Sequence, residues 1–392
     1  MKIARIETFI LGTSSSKDLL FCRVETEDGI HGWGEAYVTH GKETVVAEIV
    51  RRMAPHIIGR SVFNIRHTGQ VMFEDFAIKR SSPELSSAWS AVEIASWDIL
   101  GKHARLPVYN LIGGASRERV RVYANGWSRG NSIEEGVERG LEIKAMGFTA
   151  AKFDPFPGPW RSFVDRRDED FAIAYVTAMR AALGADFELL IEAHRRFAPS
   201  HAIRIGRRLA DLGIDWYEEP CLAENIDLVA EVRRQVPIPI VTGEALYTRE
   251  AFFDCLAKRA ADILNPDICV VGGIIAMLDI AAMAQPQAVA LAPHNYNSTL
   301  VGLAATVHLS AVVPNFRIAE YFVNFADPCR AIATQSLTMA DGWVELPTAP
   351  GLGIDIDVGK LRSRPHQEAS GHGFRQYWEE YPRRGYAPSL RG

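Results

Sequence analysis

The chain has 392 residues, more than one small domain needs and enough for two lobes. Apolar residues make up 47% of it and charged residues 23%, proportions that are ordinary for a soluble globular protein. The net charge of −5 gives no reason to expect nucleic acid or an anionic membrane as a partner. No apolar run approaches the roughly 18 residues of a membrane span.

The cysteine pattern and the N-terminus bear on the compartment. An odd, dispersed set of cysteines without C-x-x-C spacing is typical of reduced thiols in a cytosolic protein, not of a disulfide framework or a zinc site. The opening MKIARIETFILG carries charges within its apolar stretch, which favours a strand over a signal peptide. We therefore expect a cytoplasmic protein. The cysteines are Cys22, Cys221, Cys255, Cys269 and Cys329.

The first part of the chain predicts a small α+β domain, assigned to residues 1–119. Residues 1–36 alternate between apolar and polar side chains and contain the turn Glu27-Asp28-Gly29, which predicts an antiparallel meander. Residues 42–116 predict helices, from KETVVAEIVRRMAPHI to SSAWSAVEIASWDILGKHA. A sheet followed by helices is typical of an α+β lobe.

The next part, residues 120–350, predicts a (β/α)8-type barrel, which is a modified TIM barrel. Eight short, nearly continuous apolar runs alternate with helical segments, as parallel strands buried on both faces do. An open doubly wound sheet is the alternative, but no G-x-G-x-x-G loop follows an early strand. Residues 351–392 are expected to pack back on the first domain. The predicted strands are RVYAN, TAAKFD, ELLIEAH, DWYEEP, IPIVTGE, ADILNPD, VALAPHN and FRIAEYF.

Three glutamates end three successive predicted strands: Glu192, Glu218 and Glu244. They are evenly spaced, since 218 − 192 and 244 − 218 both equal 26. That spacing is about one β/α unit of a barrel, so all three carboxylates should reach the same C-terminal rim. Carboxylates that converge need a cation, and oxygen ligands favour a hard ion, with Mg²⁺ the first choice.

Other strand ends carry titratable side chains as well. Taken alone, each of these would be interpreted as an exposed charged residue of a loop or as a hydrogen-bonded side chain without a catalytic role. Seven strand ends in register instead predict an active site, because that is where barrel enzymes place their chemistry. The further candidates are Lys152, Asp154, His194, Asp267, His294 and Glu320.

The chain resembles the enolase superfamily, in its mandelate racemase-like branch, over its whole length. AVEIASWDILGKHARLPVYNLIGG is similar to the helix and Gly-Gly exit of the family's N-terminal capping domain. In the barrel, EEP, GE, NPD with VGG behind it, and APH occur in the family's order. The resemblance implies one Mg²⁺ held by Glu192, Glu218 and Glu244, a carboxylate substrate with an α-proton, and a homo-oligomer (dimer, tetramer or octamer).

The resemblance also implies roles for the other rim residues. The metal, Lys152 and Glu320 would stabilise the enediolate that forms when the α-proton leaves. Glu320 could do so only as a protonated carboxyl, whose pKa burial near other acids can raise. His294 would take the proton, with Asp267 fixing its tautomer.

This sequence departs from the family pattern in ways that bear on the reaction. Asp154 stands where many relatives carry a second lysine base, which weakens a racemase reading unless Asp154 itself has a raised pKa. Glu192 stands where relatives often have Asp, a change that a small backbone shift can absorb. His194 lies two residues past Glu192 and, in a continuous strand, would face the same cavity.

His194 resembles the acid that protonates the departing 3-hydroxyl in acid-sugar dehydratases of this branch. The alternative is that it only hydrogen-bonds the substrate or a neighbouring carboxylate. One base, one acid and no second-strand lysine favour a Mg²⁺-dependent dehydratase that converts an aldonate, such as galactonate or gluconate, into a 2-keto-3-deoxy acid. A cycloisomerase or epimerase acting through the same enediolate is the alternative, and binding of a sugar acid without turnover is a third possibility.

Several segments around the predicted site stay ambiguous. Residues 12–17 and 77–83 are candidate lids over the substrate or ordinary surface turns. Trp160 could wall the pocket or cover the barrel exterior. Arg195 and Arg196 could contact a substrate carboxylate or the acidic ligands.

Overall fold

The computed structural model describes residues 1–128, 132–158 and 161–366. Trp160 and residues 367–392 of the predicted C-terminal segment lie outside this range. Among the described residues, none of the helices combines the length and apolar character that crossing a membrane requires. All five cysteines are described, and each is free and buried.

The N-terminal domain, called the cap below, is the predicted meander followed by helices. Its antiparallel sheet has the order β1-β2-β3. Gly29, with φ 79°, makes the turn between the second and third strands, and its N–H donates to the Thr26 carbonyl at 3.0 Å. A π-helical turn, Met72–Phe76, follows the second helix. The elements are β1 (Ile3–Leu11), β2 (Leu19–Thr26), β3 (His31–Ala36), α1 (Glu43–Ile57), α2 (Ile65–Val71), α3 (Pro83–Ala104) and α4 (Val108–Leu111).

Helix α3 packs closely on strand β3 because both present small residues at the contact. The helix begins with Ser82 as N-cap, whose side chain accepts from the Leu85 N–H, followed by Pro83. A Cβ atom at Gly34 would lie 1.8 Å from the carbonyl oxygen of Ala91, so position 34 tolerates only glycine at this spacing.

The predicted eight-stranded parallel barrel is confirmed in the described part of the chain. Successive strands β4 to β10 pair in parallel, and the last strand, β11, pairs with β4. A parallel bridge between Leu291 and Phe316 joins the remaining two neighbours and closes the ring. The strands are β4 (Arg119–Asn125), β5 (Ala150–Phe153), β6 (Glu188–Glu192), β7 (Trp216–Glu218), β8 (Ile240–Thr242), β9 (Ile263–Leu264), β10 (Ala290–Leu291) and β11 (Ala319–Phe322).

One helix follows each barrel strand and covers its outer face, with apolar side chains turned toward the sheet. Helix α7 illustrates why, since its buried residues Ala202, Ile203, Ile205, Gly206 and Leu209 recur at helical spacing. The helices are α5 (Ile133–Ala145), α6 (Arg166–Leu183), α7 (Pro199–Ala210), α8 (Ile226–Gln235), α9 (Arg249–Ala257), α10 (Ile274–Ala284), α11 (Val301–Val312) and α12 (Ala326–Ile332).

The chain after the barrel returns to the cap as far as it is described. The Trp33 indole donates to Asp355 at 2.8 Å, and the Gly12 N–H donates to the Arg364 carbonyl at 2.9 Å. These contacts tie residues 351–366 to the cap sheet. The elements here are β12 (Ala333–Gln335), β13 (Met339–Ala340), β14 (Trp343–Glu345), β15 (Asp355–Ile356) and α13 (Val358–Arg362).

Candidate active site

The candidate site forms one layer above the apolar interior of the barrel. Eight side chains, one from each strand or its immediate edge, make that interior and are almost completely buried: Tyr123, Ala150, Leu190, Trp216, Val241, Ile263, Ala292 and Ile318. Because side chains alternate along a strand, the residue two positions later points to the same side and closer to the C-terminal rim. At seven of the eight strands that residue is polar: Asn125, Lys152, Glu192, Glu218, Asn265, His294 and Glu320.

The eighth position of this layer is Gly243, and Glu244 follows it. Oxygens of Glu192, Glu218 and Glu244 all lie within 4.8 Å of one another. The structure therefore brings together the three predicted ligands. Arg195 forms an ion pair with Glu244 and lies 3.5 Å from Glu219, so it contacts the acidic cluster.

The chemistry of this cluster fits a hard divalent cation. The Glu192 and Glu218 Oε2 atoms are buried and accept no hydrogen bond from any residue that the structure describes. Burial, together with the charge of Glu192, raises the pKa of Glu218 well above its usual range. A cation bound by these oxygens would offset both the repulsion and the lost solvation.

Lys152 is the main positive charge at the floor of the site. Its ammonium nitrogen lies 2.5 Å from Glu218, 3.6 Å from Glu192 and 3.7 Å from Glu320. Burial alone would lower its pKa, but the charges of Glu218 and Glu320 outweigh burial and hold the pKa well above the usual value. Lys152 is therefore a fixed cation that can stabilise negative charge.

Glu320 departs from the expectation of a neutral carboxyl. Burial raises its pKa, but the charges of Lys152 and His294 outweigh that effect and lower it. Its oxygens accept hydrogen bonds from the Asn125 side chain and, at 2.9 Å, from the Asn295 N–H. The buried Lys152 cation beside Glu320 therefore favours the carboxylate form over the protonated form that the sequence predicts.

His294 and Asp267 form the predicted dyad. The His294 Nδ1 atom lies 2.7 Å from Asp267 Oδ2. Asp267 also accepts hydrogen bonds from Asn297 at 2.8 and 2.9 Å and from the Cys269 N–H at 2.8 Å, which holds it as an acceptor. With Asp267 as the acceptor, the proton stays on Nδ1, and Nε2 lies 3.4 Å from Glu244 in the acidic cluster.

The protonation of His294 depends on its acidic neighbours. Burial lowers its pKa, but the charges of Glu320 and Glu244 outweigh burial and raise the pKa to about 8. Glu244 is one of the candidate metal ligands. A cation on Glu244 would weaken this effect and favour the neutral imidazole, which is the form that accepts a proton.

His194 reaches the site by a different backbone path from the predicted one. Strand β6 ends at Glu192, and His194 and Arg195 have left-handed backbones with φ 48° and 62°, so the strand does not continue. The His194 N–H donates to Glu192 at 2.5 Å, and its Nδ1 atom lies 2.7 Å from Asp154. The third and seventh barrel strands, which precede His194 and His294, lie opposite each other across the ring.

Asp154 is held by neighbours on both sides. The Arg196 guanidinium donates to the same Asp154 oxygen that His194 contacts, and also to the Phe156 carbonyl at 3.2 Å. Asp154 is therefore a hydrogen-bonded partner of both His194 and Arg196, and Arg196 contacts a carboxylate of the protein.

The sequence did not indicate several side chains that complete the site. Asn265 donates to Glu218 at 2.8 Å, and its place two residues after a core isoleucine was a usable signal. Tyr37, from the cap, has its ring centroid 6.1 Å from that of His294. Nothing in the local sequence indicates this contact, because it depends on how the cap docks.

The two predicted lids have different surroundings. Residues 12–17 form a hydrogen-bonded loop in which Thr13 Oγ1 donates to the Lys17 carbonyl at 2.6 Å and the Thr13 N–H donates to Asp18 at 2.9 Å. Ser81, from residues 77–83, lines a cavity of about 480 Å³ beside Trp89 and Tyr247. Residues 12–17 approach His294, since the Lys17 ammonium nitrogen lies 4.0 Å from the ring centroid of Tyr37, and the Tyr37 ring lies beside His294.

Comparisons with known proteins agree with this architecture. Residues 5–113 match the family "Mandelate racemase / muconate lactonizing enzyme, N-terminal domain", and residues 136–360 match "Enolase C-terminal domain-like". A mandelate racemase/muconate lactonizing enzyme of known structure from Sulfitobacter sp. is 33% identical with a TM-score of 0.87, covering 95% of this chain and 97% of that one.

Curated relatives are also found. A "D-galactonate dehydratase family member" from Streptomyces bingchenggensis is 30% identical, covering 92% of this chain and 93% of its own. The "D-gluconate dehydratase" of Thermoproteus tenax is 32% identical, and the match covers 89% of this chain and 70% of that protein. The "D-galactarolactone cycloisomerase" of Agrobacterium fabrum is also 32% identical, and the match covers 86% of this chain and 89% of that protein. With both domains matched along most of its length, the chain belongs to the enolase superfamily, in its mandelate racemase branch.

Proposed function

We propose that this protein is a Mg²⁺-dependent dehydratase of an acid sugar, with an aldonate such as galactonate or gluconate as substrate. The observation that carries the proposal is the pair of histidines that follow opposite strands of the barrel and contact the three-glutamate cluster, His194 through Glu192 and His294 through Glu244. Each is bonded to an aspartate, His294 to Asp267 and His194 to Asp154, both at 2.7 Å. Removal of water needs one base and one acid, and this arrangement supplies both.

Each residue has a defined task in the proposed reaction. Mg²⁺ held by Glu192, Glu218 and Glu244 would supply electrostatic stabilisation of the charge that develops on the substrate carboxylate. Lys152 adds a fixed positive charge at the same place. The His294 Nε2 atom takes the proton from C2, and Asp267 holds the imidazole in the tautomer that can do so.

His194 then completes the elimination. It gives a proton to the 3-hydroxyl as the C3–O bond breaks, so the hydroxyl leaves as water. The electron pair left at C2 forms the C2–C3 double bond, and the resulting enol tautomerises to a 2-keto-3-deoxy acid. Asp154 and Arg196 hold the His194 ring in place for this step.

The curated relatives support the acid-sugar class, since several carry the names D-galactonate or D-gluconate dehydratase. The cycloisomerase relative supports a second candidate, a cycloisomerase or epimerase that uses the same base and enediolate. That reaction would not need His194 to protonate a leaving hydroxyl. Substitution of His194 therefore distinguishes dehydration, which should stop, from reactions that keep the 3-hydroxyl, which should not.

Proton NMR in D2O with Mg²⁺ and a panel of aldonates and aldarates tests the proposal. We expect a 2-keto-3-deoxy product from one diastereomer. The His294→Asn variant should lose deuterium exchange at C2, whereas His194→Asn should keep that exchange and lose the product. C2 exchange without loss of water from the wild-type protein would favour the cycloisomerase or epimerase, and an absence of exchange across the panel would contradict both.

We propose as well that the protein assembles as a homo-oligomer. Size-exclusion chromatography with light scattering tests this point, and a monomer mass at micromolar concentration would contradict it.

A further inference from the structure

Lys17 lies in an aromatic clasp between the cap and the barrel. Its ammonium nitrogen lies 4.0 Å from the ring centroid of Tyr37, which follows cap strand β3, and 4.2 Å from that of Tyr296, which follows barrel strand β10. It also donates a hydrogen bond to the Val38 carbonyl at 2.9 Å. One buried cation therefore joins two domains through two rings.

Both rings of this clasp lie close to the proposed base, His294, in space or along the chain. The Tyr37 ring contacts both groups: its centroid lies 6.1 Å from that of His294 and 4.0 Å from the Lys17 ammonium nitrogen. Tyr296 lies two residues after His294. Its ring centroid lies 4.6 Å from that of Phe322 and 5.6 Å from that of Phe325. The loop that carries His294 is thus held between the barrel aromatics and Lys17.

The charge of Lys17 matters at this place because the side chain is only 2% exposed. Burial lowers its pKa to about 8, and the charges of Asp267, Glu35 and Glu43 oppose that effect. An apolar side chain could fill the same space without the free-energy cost of removing a charge from water. Its ammonium form interacts with both ring faces, which a methionine of similar length cannot do to the same extent.

We propose that Lys17 is a positioning residue for the proton-abstraction step, acting through Tyr37 and Tyr296 to hold the 12–17 loop against the His294 loop. This inference rests on the proposed function, because His294 is its point of action. Displacement of a reacting group by about 1 Å can cost about 100-fold in rate, so loss of the clasp should slow turnover more than it weakens binding.

Three variants test the clasp: Lys17→Met, which removes the charge, Lys17→Arg, which keeps it, and Lys2→Met as a matched control. Lys2 is an exposed cap lysine just before β1, at the opposite end of that strand from the 12–17 loop. In Lys17→Met we expect kcat and the rate of C2 exchange to fall about 10-fold to 100-fold. KM and the Mg²⁺ affinity should change much less, and Lys17→Arg should recover most of the rate.

Hydrogen–deuterium exchange of the backbone amides separates this inference from the proposed function, since it needs no turnover. Lys17→Met should speed exchange both in peptides covering 12–18 and in peptides covering 293–298, whereas Lys2→Met should leave both unchanged. Faster exchange confined to 12–18 would overturn the clasp, even if the protein proves inactive on every acid sugar. An unchanged kcat in Lys17→Met, or an equal loss of kcat and Mg²⁺ affinity without recovery in Lys17→Arg, would overturn the positioning role.

A second variant covers the case in which Lys17→Met folds poorly. Tyr296→Leu removes one face of the clasp and keeps the lysine. If the clasp acts as a unit, Tyr296→Leu alone should slow deuterium exchange at C2 of the substrate and speed backbone amide exchange in peptides covering 12–18. Unchanged amide exchange over 12–18 in Tyr296→Leu would overturn the inference.

Discussion

The ammonium nitrogen of Lys152 lies 2.5 Å from Oε1 of Glu218, although 66 positions separate the two residues in the chain. Both are buried, and the charges of Glu218 and Glu320 hold the pKa of Lys152 well above its usual value despite that burial. The pair joins the proposed electrophilic lysine to the central carboxylate of the proposed metal site. We expect a change at Lys152 to affect mainly turnover and a change at Glu218 to affect mainly the Mg²⁺ affinity.

Lys152→Met removes the cation and keeps the length of the side chain. We expect a loss of about 100-fold or more in kcat, because a preorganised positive charge near the developing enediolate is lost. Mg²⁺ binding, followed by titration calorimetry, should persist. Lys144, whose ammonium contacts the Leu183 carbonyl on the outside of the barrel, is the control. Equal activity losses in Lys152→Met and Lys144→Met would contradict the assignment.

Glu218→Gln tests the metal site. Removal of one carboxylate charge from the cluster should weaken Mg²⁺ binding by more than about 100-fold, since even residues that only orient ligands contribute 10-fold to 100-fold. Glu219→Gln is the matched control, because Glu219 is adjacent but accepts hydrogen bonds from Thr242 and Gly243. The Mg²⁺ affinity of Glu219→Gln should fall less. An unchanged affinity in Glu218→Gln removes that residue from the ligand set.

Glu93 gives a prediction for the pH dependence of stability. This buried cap residue accepts hydrogen bonds from the N–H groups of Ile274 at 2.8 Å and Ile275 at 3.0 Å, at the start of helix α10. Burial raises its pKa from 4.5 to about 7, against the opposing effect of those bonds. Between these values the folded protein keeps a proton that the unfolded chain releases, so stability falls as pH rises, by about 3 kcal/mol in total.

The Glu93→Gln variant lacks this titration. The stability advantage of the wild-type protein over Glu93→Gln should therefore be larger at pH 5 than at pH 8, as measured by thermal or urea unfolding of both proteins. Parallel pH profiles of the two proteins would show that Glu93 does not titrate between the folded and unfolded states.

Gly34→Ala tests the close approach of strand β3 to helix α3. The new Cβ atom would lie 1.8 Å from the Ala91 carbonyl oxygen, so the helix must shift, and we expect a loss of about 3 kcal/mol in the free energy of unfolding. Gly29→Ala is the control, since its φ of 79° is strained for alanine but no atom lies within 4 Å of the new Cβ. Its cost should be about 1 kcal/mol. Similar urea midpoints for the two variants would contradict the packing argument.

The rim residues could be predicted from the sequence because they follow a simple rule. Lys152, Glu192 and Glu218 each lie two positions after a residue of the barrel interior, and strand alternation places them on one layer. The same rule would have found Asn125 and Asn265. Local pattern was sufficient here, since the strands alone set which way these side chains point.

Other parts of the site depend on contacts that no local pattern carries. The sequence predicts His194 on a continuing strand, but its left-handed backbone accompanies a hydrogen bond to Glu192 and a contact with Asp154, which follows the neighbouring strand. The lowered pKa of Glu320 depends on its closeness to Lys152 and His294, which lie on other strands or follow them. The aromatic clasp depends on how the cap docks, which brings Tyr37 and Tyr296 together from distant parts of the chain.

The closure of the barrel also has a consequence for biosynthesis. Asn125, on the first barrel strand, donates a hydrogen bond to Glu320, on the last, and 195 positions separate them. A chain still emerging from the ribosome already contains β6 to β8, but it cannot form this bond until β11 has left the exit tunnel. Such a long-range contact is among the slower ones to form. The layer of candidate site residues is therefore completed only after nearly the whole barrel has been synthesised. A product truncated before β11 would contain the three glutamates but not this bond.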